Sequence, residues 1–91
     1  MNASCEVSLY PLTEDYDRVV TDFCLGLKSV EGLDVQVNGI STQVFGPYEL
    51  VWEAVGKSCK EVFESGKAVA VMKLAGSDLR PENLPENLKS N

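Results

Sequence analysis

The chain has 91 residues, 44% of them hydrophobic, with 14 acidic and 8 basic side chains, no histidine and a formal net charge of −6. That length supports one hydrophobic core and hence one domain, and scattered Lys and Arg on an acidic background exclude the clustered positive charge that nucleic-acid binding needs. No run approaches the ~20 apolar residues of a membrane span, and three widely spaced cysteines, Cys5, Cys24 and Cys59, suit free core thiols rather than a disulfide framework.

The first element is "SCEVSLYPL", residues 4–12. In an extended strand Cys5, Val7 and Leu9 share one face while Ser4, Glu6, Ser8 and Tyr10 share the other. The N-terminus enters this pattern at once, without the basic region and cleavable apolar stretch of a secretory signal, so a cytoplasmic protein is expected. After Pro11 the period changes. "TEDYDRVVTDFCLGLKSVEG" puts Tyr16, Val19, Val20, Phe23, Leu27 and Val30 at spacings of three and four, one stripe of a helix, with Thr13 as N-cap and Gly32 as stop.

"LDVQVNG" returns to period two, Asn38-Gly39 marks a hairpin, and "ISTQVFG" is the partner strand. A second helix is predicted from Pro47, through "YELVWEAVGKSCKEVFES", to Gly66. Its apolar side is Leu50, Val51, Ala54, Val55, Cys59, Val62 and Phe63, with Trp52 at the margin. "KAVAVMKLA" is the last strand. Lys73 rarely points unpaired into a dry core, which places Val69, Val71 and Lys73 on an uncovered face and Ala68, Ala70, Met72 and Leu74 beneath the helices. From Gly76 the pattern dissolves into "GSDLRPENLPENLKSN", with "PENL" twice; residues 1–75 are read as the domain and 76–91 as a C-terminal tail.

Strand, helix, strand, strand, helix, strand, with short right-handed connections, is a ferredoxin-like βαββαβ sandwich of the α+β kind: a four-stranded antiparallel sheet with two helices on one face and the first and third strands central. The row containing Glu6 and Ser8 then looks away from the helices. An uncovered sheet face on so small a domain invites a partner, so a homodimer or homotetramer is expected.

Catalytic chemistry is hard to assemble from these residues. Without histidine the commonest general base and neutral metal ligand are missing, the cysteines fall at core positions, and neither a P-loop nor a Gly-x-Gly-x-x-Gly fingerprint occurs. The reading is therefore no enzyme, no metal and no cofactor.

"VSLYPL" at 7–12, "ISTQVFGPYELVWEAV" at 40–55 and "AVAVMKLA" at 68–75 resemble the YkoF-like and thiamine-binding protein families. Leu9-Tyr10-Pro11-Leu12 and Ser41-Thr42 followed by Gly46 carry most of the likeness; Phe45 stands where many members have an acidic residue. The resemblance implies a small ferredoxin-like domain, assembled in oligomers by joining sheets, that binds thiamine or its hydroxymethylpyrimidine portion. Such a flat ring wants hydroxyl or amide groups along its edge and an aromatic surface against its face. Ser8, Ser41, Thr42 and Gln43 are the candidates for the edge, Tyr10 and Trp52 for the face, Glu6 or Asp34 for the thiazolium charge, and Gly46 for the turn into the second helix. The alternative is a protein–protein interaction or self-assembly module that uses the open sheet face and takes no small ligand.

Overall fold

Alternation along the first strand, β1 (Asn2–Pro11), decides which way the whole sheet faces. In the computed structural model, which describes residues 1–89, Ala3, Cys5 and Val7 are buried in the core while Glu6, Ser8 and Tyr10 lie on the other side. The remaining elements are α1 (Tyr16–Lys28), β2 (Asp34–Val37), β3 (Thr42–Pro47), α2 (Tyr48–Ser65) and β4 (Ala68–Ala75), followed by single 3-10 turns at Pro81–Asn83 and Glu86–Leu88. The sheet is four-stranded and antiparallel in the order β2-β3-β1-β4, the expected ferredoxin-like arrangement with β1 and β3 central.

Both helices lie on one face. Phe23, Cys24 and Leu27 of α1 and Val51, Ala54, Val55 and Cys59 of α2 form one cluster with Ala3, Cys5, Val7 and Val44 of the sheet. Burying each aliphatic side chain of that cluster contributes about 1.5–3 kcal/mol. The register gives β4 two faces, with Leu74 opposite core-facing Cys5 and Met72 opposite Val7, and Lys73 opposite Glu6 and Val71 opposite Ser8. Met72 and Leu74, expected beneath the helices, nevertheless stay 37% and 39% exposed at this edge strand, and only Ala70 packs against the core.

The helix ends differ from expectation by a few residues. α1 begins at Tyr16, because the Thr13 hydroxyl accepts from the Asp15 backbone N–H at 3.3 Å and closes a turn ahead of the helix. It ends at Lys28, and Gly32, at φ +93, instead turns the chain into β2. Pro47 closes β3 and flanks α2, which starts at Tyr48. Gly46 has a packing reason rather than a left-handed one. A Cβ there would lie 3.1 Å from the Gly32 carbonyl oxygen and 3.1 Å from Leu33 Cδ2, so glycine lets β3 run this close to the loop before β2 without displacing its neighbours.

After β4 the chain turns back over the face away from the helices. The Ser4 hydroxyl, 6% exposed, donates to the Ser77 carbonyl at 2.7 Å and accepts from the Leu79 N–H at 2.8 Å. Arg80 then reaches Asp34 on β2 at 3.4 Å while also pairing with Asp78. Residues 77–80 thus cross the row Asp34, Phe45, Ser4. Phe45, only 4% exposed and outside the helix-side core, is buried in that covered row. Ser90 and Asn91 of the expected tail lie outside the described residues.

Candidate functional site

The site begins with an unequal ladder. β1 pairs with β3 only as far as Val7 opposite Thr42, but with β4 as far as Pro11 opposite Ala68. Residues 8–11 consequently have a strand on one side only. The Leu12 N–H donates to the Lys67 carbonyl at 2.9 Å, so even-numbered residues of β1 direct their backbone groups to β4, and odd-numbered ones direct theirs to the side that β3 has vacated. Pro11, which has no N–H to leave unpaired, fits there, and the N–H and C=O of Leu9 point into the gap.

Across the gap lies the β2–β3 loop. The Asn38 N–H donates to the Ser41 carbonyl at 3.1 Å, and the Asn38 side-chain oxygen accepts from the Ile40 and Ser41 N–H groups at 2.8 and 3.1 Å. Gly39 and Ile40 form the tip, so Asn38 braces the loop from its first position. The notch between this loop, the end of β1 and Val20 and Phe23 of α1 has a volume of about 250 Å³.

Four of the predicted residues line it: Ser8, Tyr10, Ser41 and Thr42. Tyr10 is 55% exposed. The Ser41 hydroxyl donates to Glu6 Oε2 at 3.2 Å, and Glu6 Oε1 lies 3.9 Å from Lys73 Nζ, so one carboxylate adjoins the notch with a cation beyond it. Gln43 is one row along, opposite both Glu6 and Gln36.

Thr42 and Trp52 are placed otherwise than the sequence reading supposed. Thr42 alternates with Ser41 and Gln43, so its side chain turns toward α1, where its hydroxyl meets Cys24 Sγ at 3.3 Å in a buried contact. It contributes to the wall of the notch with its hydroxyl already engaged. Trp52 is 53% exposed on α2, beside buried Val51 but outside the core, and the sheet separates it from Ser8 and Tyr10. Asp34 is held by Arg80 and accepts from Gln36 Nε2 at 3.3 Å, beneath the crossing segment, which leaves Glu6 as the carboxylate near the notch.

The cysteines are buried and free. Burial pushes the Cys5 thiol above the ordinary range, with Cys59 and Glu6 adding to it, and burial does the same for Cys59. Neither has the depressed pKa of a nucleophile. Among the described residues no group of three or more His, Cys, Asp and Glu side chains is disposed to hold a metal ion, and no helix is long and apolar enough to cross a membrane.

The sequence singles out Ser8, Tyr10, Ser41 and Thr42, but not the Leu9 backbone at the end of the ladder. The signal was present in Pro11, a proline at the end of a strand, which marks where the ladder on one side has stopped.

No family model matches the chain, and no curated protein matches it. Solved structures do. A Streptococcus pneumoniae protein has a TM-score of 0.78 at 17% identity, covering 87% of this chain and 90% of its own. A Thermotoga maritima protein provisionally assigned to thiamine biosynthesis or salvage has a TM-score of 0.71 at 16% identity, covering 96% of this chain and 92% of its own. A domain of unknown function from Bacillus cereus, DUF77, has a TM-score of 0.68 at 17% identity, covering 87% and 79%. The likeness is one of fold. It extends over nearly the whole of each chain and identifies the ferredoxin-like architecture derived above.

Proposed function

We propose that this chain is a non-catalytic binding protein that takes thiamine or its hydroxymethylpyrimidine portion in the notch at the end of β1. The observation that carries the reading is that Ser8, Leu9, Tyr10 and Ser41 all line one space of about 250 Å³, where among the described residues no strand pairs with Leu9 on the β3 side. An aminopyrimidine presents donors and acceptors along one edge and a flat face, and these groups meet both. Glu6, joined to Ser41, supplies negative charge for a cationic ring attached to it. The motif resemblance and the provisional assignment of the Thermotoga maritima protein support the same ligand class.

The test is isothermal titration calorimetry with thiamine, thiamine phosphates and hydroxymethylpyrimidine on protein of known oligomeric mass. Saturable binding that Ser8→Ala and Tyr10→Ala weaken supports the proposal. A flat titration at millimolar ligand overturns it.

A second reading, a self-assembly or interaction module, is favoured by β4. It is an edge strand whose open-face residues Val69 and Val71 are 51% and 56% exposed beside Tyr10, an apolar surface of the sort a second copy covers. A homodimer or homotetramer is the expected state. Val71→Glu then lowers the mass seen by light scattering, and unchanged mass removes this reading.

A further inference from the structure

A second cavity adjoins the notch and shares Phe23 with it. It is a groove of about 490 Å³ between the two helices, closed at one end by the β1–α1 and α2–β4 loops. Its volume lies in the range typical of small-ligand pockets. Val19, Phe23 and Val62 give it an apolar floor.

Two features make it more than a seam between helices. The first is its width. Gly26 lines it from α1, and a Cβ at that position would have no heavy atom within 4 Å, so α1 leaves the groove open on that side. Gly26 has no positive φ to explain it, and a glycine within a helix lowers helix stability, so neither conformation nor propensity accounts for it.

The second is its charge. Arg18 is occupied by Asp15 and Asp22 on its own helix. Among the described residues, Glu61 and Lys67 have no ion-pair partner, yet both line the groove. Lys67 is positioned by its carbonyl, which accepts from the Leu12 N–H at 2.9 Å. One free carboxylate and one free ammonium above an apolar floor match a molecule with one charge of each sign and a hydrocarbon body.

We propose that the interhelical groove binds a small apolar zwitterion, either a free amino acid with an aliphatic or aromatic side chain or a short dipeptide of such residues. The ligand's carboxylate meets Lys67, its ammonium meets Glu61, and its side chain fills the space over Gly26. The groove meets the notch at Phe23, but Gly26, Glu61 and Lys67 line the groove alone.

The experiment is a nitrogen-edited NMR titration of the full chain with L-leucine, L-phenylalanine and leucyl-leucine, each to millimolar concentration. The expected result is saturable shifts at Val19, Gly26, Glu61, Val62 and Lys67, which line the groove and not the notch. Leucinamide and N-acetylleucine, each lacking one charge, bind more weakly, and whichever of leucine or leucyl-leucine binds more tightly identifies the source. Gly26→Leu fills the groove and lowers affinity by about tenfold or more, while its thermal midpoint stays at or above that of the parent because a good helix former replaces glycine.

No saturable shifts with any of the three ligands overturns the proposal, as do shifts that Gly26→Leu leaves unchanged. Hydroxymethylpyrimidine titrated into Gly26→Leu distinguishes the sites: shifts at Ser8, Leu9 and Tyr10 persist there if the notch is intact, whatever the groove does.

Discussion

Replacing Ser4 by alanine removes the hydroxyl that holds residues 77–80 to the sheet. Two hydrogen bonds go with it, the one donated to the Ser77 carbonyl and the one accepted from the Leu79 N–H. Each neutral bond of this kind contributes about 0.5–1.5 kcal/mol net, which gives an upper figure of about 3 kcal/mol for the pair. The crossing segment can instead lift away and hydrate Ser77 and Leu79, so the loss is bounded by the free energy of docking the segment. Part of that docking energy is the cover over Phe45, 4% exposed in the same row, and burying such a ring contributes about 1.5–3 kcal/mol. A loss of about 1–2 kcal/mol is expected, read as a lower urea midpoint with little change in slope. Hydrogen exchange at the Leu79 amide rises with it. Ser8→Ala is the internal control, because Ser8 sits on the same strand and face and makes no side-chain hydrogen bond among the described residues; its effect should stay within about 0.5 kcal/mol. Unchanged midpoint and unchanged Leu79 protection in Ser4→Ala would refute the account of the crossing segment.

Gly46→Ala forces a methyl group against the Gly32 carbonyl and Leu33, and should cost about 1–3 kcal/mol in chemical denaturation. Gly26→Ala meets open space in a helix and should stabilise by about 0.5–1 kcal/mol in the same assay, with no stabilisation counting against the groove geometry. Asp78 is held at about 2 by the Arg80 guanidinium, below the ordinary carboxylate value of 3.8. A lowered folded-state pKa contributes stability that is complete above the unfolded value and disappears as pH falls from 3.8 through about 2, so the contribution of the Asp78–Arg80 pair should be lost in that window, and Arg80→Ala should raise the Asp78 pKa in an NMR titration. Cys5 and Cys59, buried and with raised pKa values, should react with a thiol reagent at neutral pH only as fast as the protein opens, and rapid labelling of the native state would contradict their placement.

Local periodicity determined much of this protein. Period two along residues 4–10 and 68–74, and spacings of three and four along 16–30 and 50–63, are properties of short stretches, so the order of elements, the two faces of β1 and β4 and the helix stripes could be read from the chain. The same alternation separates Thr42 from Ser41 and Gln43, and grouping the three by composition hid a distinction that strand geometry imposes.

Other features depend on pairs of residues distant in sequence, and only the tertiary structure decided them. How far β3 runs beside β1 is a matter of register, and its end at Val7 and Thr42 is what exposes the Leu9 backbone and creates the notch. Trp52 looked like a ring near a ligand until α2 placed it across the sheet from Tyr10. Residues 77–80 have too little apolar content to announce a docked segment; two hydrogen bonds to Ser4, 73 and 75 positions away, put them there. Turn residues and side-chain periods act over a few positions, whereas register and long-range hydrogen bonds are set by which surfaces meet once the chain has folded.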